Sequence, residues 1–287
     1  MIDIGANLSR FDETELHNIL VRADQVGIDK IIATGTSLDR SFAAKHLADT
    51  HVEVFFTAGC HPHEARRWQS FDFETMGTLF KHPKCVFAGE MGLDYCRLIS
   101  TREEQIYAFE RQIEWAIKYN MPLFLHERNA HDDFIKILDS FGYDLPPVVV
   151  HCFTGDKSEV SEYIKSDFYL GITGWICDDV RGKSLQDALP LIPDNRLLVE
   201  TDAPFLAPKG SWLDTLPYAL SKQNGRTQNE PFALVSVIQA CAHYRSQSFD
   251  HIRQTSSNNA NMFIQRKMNM QMPDEVYSYE SLNSVKK

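Results

Sequence analysis

The stretch from Thr101 to Tyr119, TREEQIYAFERQIEWAIKY, followed by Asn120-Met121-Pro122-Leu123-Phe124-Leu125-His126, decides how this chain folds. Its first part predicts a helix over 102–119. Thr101 followed three residues later by Glu104 is a capping box. Ile106, Phe109, Ile113 and Ile117 recur at helical spacing and form one apolar stripe. Pro122 ends the pattern, since proline cannot continue a helix. Leu123–Leu125 then read as a short buried strand, and a histidine follows at once.

Outward from that stretch the same unit recurs. Short apolar, β-rich runs fall at Ile2–Ile4, Ile31–Thr34, Val54–Ala58, Val86–Ala88, Leu123–Leu125, Val148–Val150, Phe168–Ile172 and Leu197–Val199. Helical patterns separate most of them. Over 13–26, Leu16, Ile19, Leu20 and Ala23 share a face. A later helix is expected to start at Asn229 as its N-cap, with Leu234, Val237, Ile238 and Cys241 on one side. Alternating strands and helices imply parallel strands joined by crossovers. Eight such units predict an α/β fold, the closed (β/α)8 TIM barrel. An open doubly wound sheet would want a glycine-rich phosphate loop after its first strand. Gly5-Ala6-Asn7-Leu8 supplies none.

Chain length, 287 residues, suits one such barrel. The reading is a single domain over 1–264 and a polar, Met-rich tail over 265–287. Residues 203–228 carry Pro204, Pro208, Gly210, Pro217 and Gly225 without a helical stripe, so a long loop is expected there. Hydrophobic residues make up 43% and charged residues 24%, as in ordinary globular domains. No apolar run is long enough to span a bilayer, so no membrane partner is expected. The first residues lack the basic stretch and apolar core of a signal peptide. The six cysteines include no CxxC pair, which suits reduced thiols and a cytoplasmic protein. A net charge of −10 argues against a broad nucleic-acid-binding surface, but not against an enzyme whose metal supplies positive potential at one point.

Nearly every residue able to bind a metal falls just after a predicted strand. His61 and His63 follow the third strand, Glu90 the fourth, His126 the fifth, His151 the sixth and Asp202 the eighth. In a TIM barrel these strand ends open onto one face, where active sites sit. A lone histidine at a strand end is more often a hydrogen-bonded core residue than a ligand. Glu90, in Gly89-Glu90-Met91-Gly92, could be a turn residue, and Asp202 could cap a turn. Four such accidents at four strand ends make a poorer account than one metal site. Imidazoles with carboxylates suit Zn, Mn or Fe, and carboxylates with water also accept Mg. Such a site lowers the pKa of a bound water and polarises a phosphoryl oxygen. Asp202 could accept the proton of the nucleophilic water. His61 and His63 could be ligands or phosphate-facing donors. Pro62 between them favours an extended segment with both rings pointing the same way.

At these residues the sequence resembles the TatD family of metal-dependent deoxyribonucleases, within the amidohydrolase-type TIM barrels. The matching motifs are Gly59-Cys60-His61-Pro62-His63, Gly89-Glu90-Met91-Gly92-Leu93-Asp94-Tyr95, Met121-Pro122-Leu123-Phe124-Leu125-His126, His151-Cys152-Phe153-Thr154-Gly155, Glu200-Thr201-Asp202-Ala203-Pro204 and Arg226-Thr227-Gln228-Asn229-Glu230-Pro231. Asn259-Ala260-Asn261-Met262-Phe263 resembles the family's closing helix, so the resemblance covers about 2–263. It implies divalent-metal hydrolysis of nucleic-acid phosphodiesters. By motif match Glu90, His126, His151 and Asp202 become metal residues, and His61 and His63 become active-site histidines near the scissile phosphate. Arg128 matches an active-site basic position. The resemblance also implies 3′–5′ exonuclease action on single-stranded DNA and RNA, with links to repair of oxidative damage and to DNA fragmentation.

One departure bears on the metal. Many family members carry His-x-His on the first strand, where this chain has Gly5 and Asn7. Fewer imidazoles favour Mg²⁺, or Mn²⁺, over a tightly held Zn²⁺ pair. It also counts against a small-molecule amidohydrolase, the main competing reading, which would want that pair and a bridging lysine. An endonuclease would differ mainly in the substrate ends it accepts. For the substrate, Trp175 and Arg226 are candidate contacts beside Arg128. Phe205, Trp212 and Tyr218 lie near Lys209, Lys222 and Arg226, a composition that suits stacking of unpaired bases, though the same aromatics could simply pack the loop onto the barrel. Nothing demands a second subunit, so a monomer is the expected state.

Overall fold

The computed structural model describes residues 1–223 and 225–270. Eight parallel strands pair in chain order: β1 (Ile2–Ala6), β2 (Lys30–Ala33), β3 (Val54–Ala58), β4 (Cys85–Asp94), β5 (Leu123–Arg128), β6 (Val148–His151), β7 (Tyr169–Ile172) and β8 (Leu197–Val199). Around them lie α1 (Glu13–Gln25), α2 (Leu38–Thr50), α3 (Ser70–Phe80), α4 (Arg102–Lys118), α5 (His131–Phe141), α6 (Lys157–Lys165), α7 (Lys183–Ala188), α8 (Leu234–Arg245) and α9 (Phe249–Asn269). This is the (β/α)8 barrel. Every expected strand is present.

The ring closes between β8 and β1 through backbone just beyond β8. Asp202 N donates to Gly5 O (2.8 Å) and Asn7 N to Ala203 O (2.7 Å). Buried Asp3 completes the seam, accepting from Thr201 N (3.0 Å), Thr201 Oγ1 (2.5 Å) and Gly5 N (3.2 Å). Inside the barrel, Ile4, Ile32, Phe55, Phe87, Phe124 and Leu198 pack together with Phe263 and Ile264 of α9. Lys30, which opens β2, donates to Asn261 of α9 (2.8 Å), so α9 covers the N-terminal mouth. A fully buried phenylalanine contributes roughly 1.5–3 kcal/mol, and this plug supplies several large apolar side chains. Polar side chains are thereby left to the C-terminal mouth.

Three helical expectations are corrected. The box at Thr101 and Glu104 is present, but the buried face of α4 is Gln105, Ala108, Phe109, Gln112, Ile113 and Ala116, with Ile106 and Ile117 only half-buried. The face is rotated because two glutamines hold buried backbone. Gln105 binds Asp94 N and O (2.8 and 3.0 Å), and Gln112 binds Cys60 N and O (2.7 and 3.1 Å). Asn229 does not cap a helix. Its amide donates to Thr201 O (2.9 Å), and α8 begins at Leu234 after a 3-10 turn over Pro231–Ala233. The expected tail starts inside α9, which continues to Asn269 and buries Lys267 against Phe80 O; residues 271–287 lie outside the described residues. The loop over 203–228 holds a 3-10 turn at Gly210–Thr215 and a short pairing of Lys222–Gln223 with Arg226–Thr227.

Candidate metal centre

β4 is longer than its apolar core suggested, and Glu90 lies within it rather than after it. Gly89 and Gly92 explain why. Both have positive φ (+144° and +142°), and a Cβ on either would lie about 2 Å from a carbonyl oxygen of β5, Phe124 O or His126 O. Only glycine lets β4 run this close to β5 while turning the Glu90 side chain inward. His126 likewise lies within β5, opposite His151 of β6 in the parallel register.

These side chains meet at the C-terminal mouth. Glu90 Oε1 is 3.0 Å from His126 Nδ1, 3.4 Å from His61 Nε2 and 3.5 Å from His151 Nε2. Asp202 lies beside them, its backbone at φ +52° and its carboxylate accepting from Asn7 Nδ2 (2.8 Å). His61 and His63 flank Pro62, which opens a 3-10 turn over Pro62–Arg67 instead of an extended segment. Their rings still lie together, 4.4 Å between centroids, but face different carboxylates. His63 Nε2 is 2.8 Å from Asp94, whereas His61 faces Glu90.

Two carboxylates absent from the expected set hold these groups in place. Asp94 is four residues beyond Glu90 on β4; it faces His63 and lies 3.6 Å from His126 Nε2. Glu200, fully buried, accepts from Cys152 N (2.6 Å) and meets His151 Nδ1 (2.7 Å). That fixes the Nε2 of His151 toward Glu90. Glu200 also bears on Gly5: a Cβ there would stand 2.3 Å from Glu200 Oε2, so a side chain at this position would have to displace the carboxylate that holds His151 and Cys152 N. Both carboxylates stand within motifs visible in the sequence, Gly89–Tyr95 and Glu200–Pro204. Alternate residues on a strand share a face, a signal that could have singled out Asp94.

The electrostatics follow from burial among opposite charges. Burial alone would raise the Glu90 carboxyl, but His61, His151 and His126 together hold it well below the carboxylate range. His126 is depressed by burial, yet Asp94 and Glu90 carry it up to about 9. His151 is likewise carried up to about 10, mainly by Glu200 and Glu90. Burial dominates at the other two. It takes His61 down to about 3, and it lifts Asp202 to about 7 against the pull of His151.

Such a donor set fits a divalent cation. Ligand atoms of His61, Glu90 and His126 lie within 4.8 Å of one another, as do those of His151, Cys152 and Asp202. Among the described residues, His126 Nε2 is buried without a hydrogen-bond partner. Anionic Glu90 ringed by imidazoles gives an ion both charge and nitrogen donors.

Of the candidate substrate contacts, the structure brings two together. The Arg128 guanidinium lies over the Trp175 ring, 5.0 Å from its centroid, and donates to Thr154 Oγ1 (3.3 Å). Arg181 covers the same ring at 4.3 Å. Arg226 is exposed on its short strand pair. In the long loop, Trp212 packs on His243 and Tyr244, and Tyr218 packs on Phe232, so both cover the barrel instead of facing solvent for stacking. Phe205 remains 46% exposed.

Comparison with known proteins identifies relatives of the chain. A family model described as TatD related DNase matches residues 2–265. A protein of Enterobacter lignolyticus named 3′-5′ ssDNA/RNA exonuclease TatD is 40% identical over 260 residues, covering 90% of this chain and 96% of that protein. Its namesake from Escherichia coli K12 is 39% identical over 261 residues, covering 90% and 96%. Among solved structures, a TatD homologue from Escherichia coli K12 superposes with a TM-score of 0.81 at 26% identity, covering 92% of this chain and 97% of that one. A TatD family hydrolase from Entamoeba histolytica gives 0.80 at 26% identity, covering 91% and 97%. A barrel whose mouth gathers His61, Glu90, His126, His151 and Asp202, matched over nearly its whole length in sequence, belongs to the TatD-related DNase family.

Proposed function

We propose that this protein is a metal-dependent nuclease that hydrolyses phosphodiester bonds of single-stranded DNA or RNA from the 3′ end. The carrying observation is Glu90 Oε1, faced within 3.5 Å by nitrogens of His61, His126 and His151. The names of relatives near 40% identity support the substrate class.

Glu90, His126, His151 and Asp202 would hold the ion, for which Mg²⁺ is proposed, with Mn²⁺ and Zn²⁺ the competitors. When bound it supplies Lewis acidity toward a phosphoryl oxygen and a more acidic water. Asp202, whose carboxylate accepts from Asn7 Nδ2 (2.8 Å), would accept the proton of the attacking water. His63, oriented by Asp94, donates toward the scissile phosphate, and His61 lies beside it. Arg128 holds a phosphate oxygen, Trp175 offers a stacking face and Arg226 reaches the strand from the loop.

One catalytic domain that includes the whole of α9, and a monomer, suffice, because every named residue comes from the same barrel. Cytoplasmic residence suits the six free cysteines, and no helix among the described residues is long and apolar enough to cross a membrane.

The test is digestion of a labelled single strand with EDTA, Mg²⁺, Mn²⁺ or Zn²⁺. A ladder shrinking from the 3′ end in Mg²⁺ is expected. Cleavage that survives EDTA overturns the metal reading, and internal cuts replace exonuclease with endonuclease.

A further inference from the structure

A cavity of about 410 Å³ opens beside the metal centre, walled by Arg10, Ser37, Arg40 and Arg67. Its back wall is tied to the centre. Thr36 O, in the same wall, accepts from His61 N (2.9 Å), and the preceding residue, Gly35, accepts from Glu90 N (2.8 Å). Three guanidinium groups in one pocket are conspicuous in a chain of net charge −10.

Their partners show which charge is uncompensated. Arg67 is paired with Glu64 (2.9 Å). Arg40 donates to a backbone carbonyl, Ser9 O (2.6 Å), which leaves its charge unneutralised. Arg10 lies over the Phe205 ring at 5.3 Å. Among the described residues, neither Arg10 nor Arg40 has a carboxylate within 4.0 Å. Partial desolvation and then the neighbouring Arg40 charge pull the Arg10 pKa down, against the attraction of Asp202, Glu90 and Glu64, which lie within electrostatic reach of Arg10 without pairing with it. The wall also holds two acids, Asp39 and the Glu64 that pairs with Arg67. Two neighbouring guanidiniums with no carboxylate paired to either make an anion site, and guanidinium matches phosphate geometry.

We infer that this cavity is a second phosphate subsite, in which Arg10 and Arg40 hold the backbone phosphate immediately 5′ of the scissile one. The inference rests on the exonuclease reading above. On a strand cut at its last linkage and ending in a 3′-hydroxyl, every other backbone phosphate lies on the 5′ side. An extra phosphate pocket beside the centre therefore takes the retained strand, not the departing nucleotide. Phe205, exposed and stacked on Arg10, offers the base of that retained strand a face.

The substrate pair that isolates the subsite is thymidine dinucleotide, with one phosphodiester, and thymidine trinucleotide, with two. The subsite acts only on the second. In Arg10→Gln and Arg40→Ala, the ratio of trinucleotide to dinucleotide kcat/KM is expected to fall about tenfold, the effect of one charge-assisted hydrogen bond. Thermal melting confirms that each variant is folded, and Arg10→Gln, at an exposed position, serves where Arg40→Ala is not. An unchanged ratio overturns the subsite. Should the wild-type protein cleave neither substrate, the exonuclease reading fails and binding decides the subsite alone. Anisotropy of fluorescein-labelled thymidine trinucleotide in EDTA would then show weaker binding by the variants. Equal binding by variants and wild type overturns the subsite independently of activity.

Discussion

At the scale of single residues, the centre is a balance between burial and charge. His126 and His151 are carried to about 9 and about 10 by carboxylates, so in the metal-free protein both hold protons at pH 7. A metal requires neutral imidazole nitrogens, and binding must expel those protons. The sign follows: the metal-free state binds more protons, so apparent affinity rises with pH until both histidines have lost their protons, through about 9 and about 10, and levels off above. Calorimetry of Mn²⁺ binding in buffers of different ionisation enthalpy should count one to two protons released at pH 7; none released would contradict the charge state assigned to the two histidines. Glu200 touches no proposed substrate but fixes His151 through Nδ1. Glu200→Gln should weaken Mn²⁺ binding by roughly 10–100-fold, the usual cost of losing such a support. Glu90→Ala removes the carboxylate at the middle of the cluster. It should abolish nuclease activity while circular dichroism shows the fold retained.

At the scale of elements, α4 is stapled to the site by glutamines rather than by its apolar stripe alone. Gln112 satisfies both backbone groups of Cys60, one residue before His61. Gln112→Leu keeps the bulk and leaves both groups buried without partners, so urea denaturation should show a loss of about 2–4 kcal/mol. A loss near zero would mean that the helix is held by packing only. The periodicity of Arg102–Tyr119 made the helix and its cap legible, because both depend on neighbours in sequence. Which face it buries was not legible, because that depends on Cys60 and Asp94, in distant strands. Asn229 misled for the same reason: its side chain suits a helix cap, but a tertiary partner, Thr201 O, takes it.

At the scale of the whole molecule, the barrel depends on a seam where strand pairing gives way to side-chain and loop contacts. Asp3 gathers three donors there, and two of them belong to Thr201, the neighbour of Asp202. Asp3→Ala should destabilise the protein by about 3 kcal/mol, since buried donors lose their acceptor. It should also lower activity in the folded protein, because the same seam positions Asp202. Full activity in a destabilised Asp3→Ala protein would separate closure from the site. Thermal melting beside a single-strand cleavage assay measures both.

The sequence by itself determined the eight strands, the order of the barrel and the convergence of Glu90, His126, His151 and Asp202 on one mouth. Those follow from local periodicity and from the parallel topology that alternation imposes. It also marked Gly5 and Asn7 as replacing histidines. Only the tertiary structure decided what stands in that space: the Glu200 carboxylate, which a side chain at Gly5 would have to displace, and the Asn7 amide, bonded to Asp202. It likewise set Asp94 against His63, brought Arg128 and Trp175 together, and paired Arg10 with Arg40 around an anion-sized cavity. Contacts of that kind join residues far apart in the chain, 195 positions in the case of Asn7 and Asp202. Their energy depends on burial and distance, quantities that no local pattern encodes.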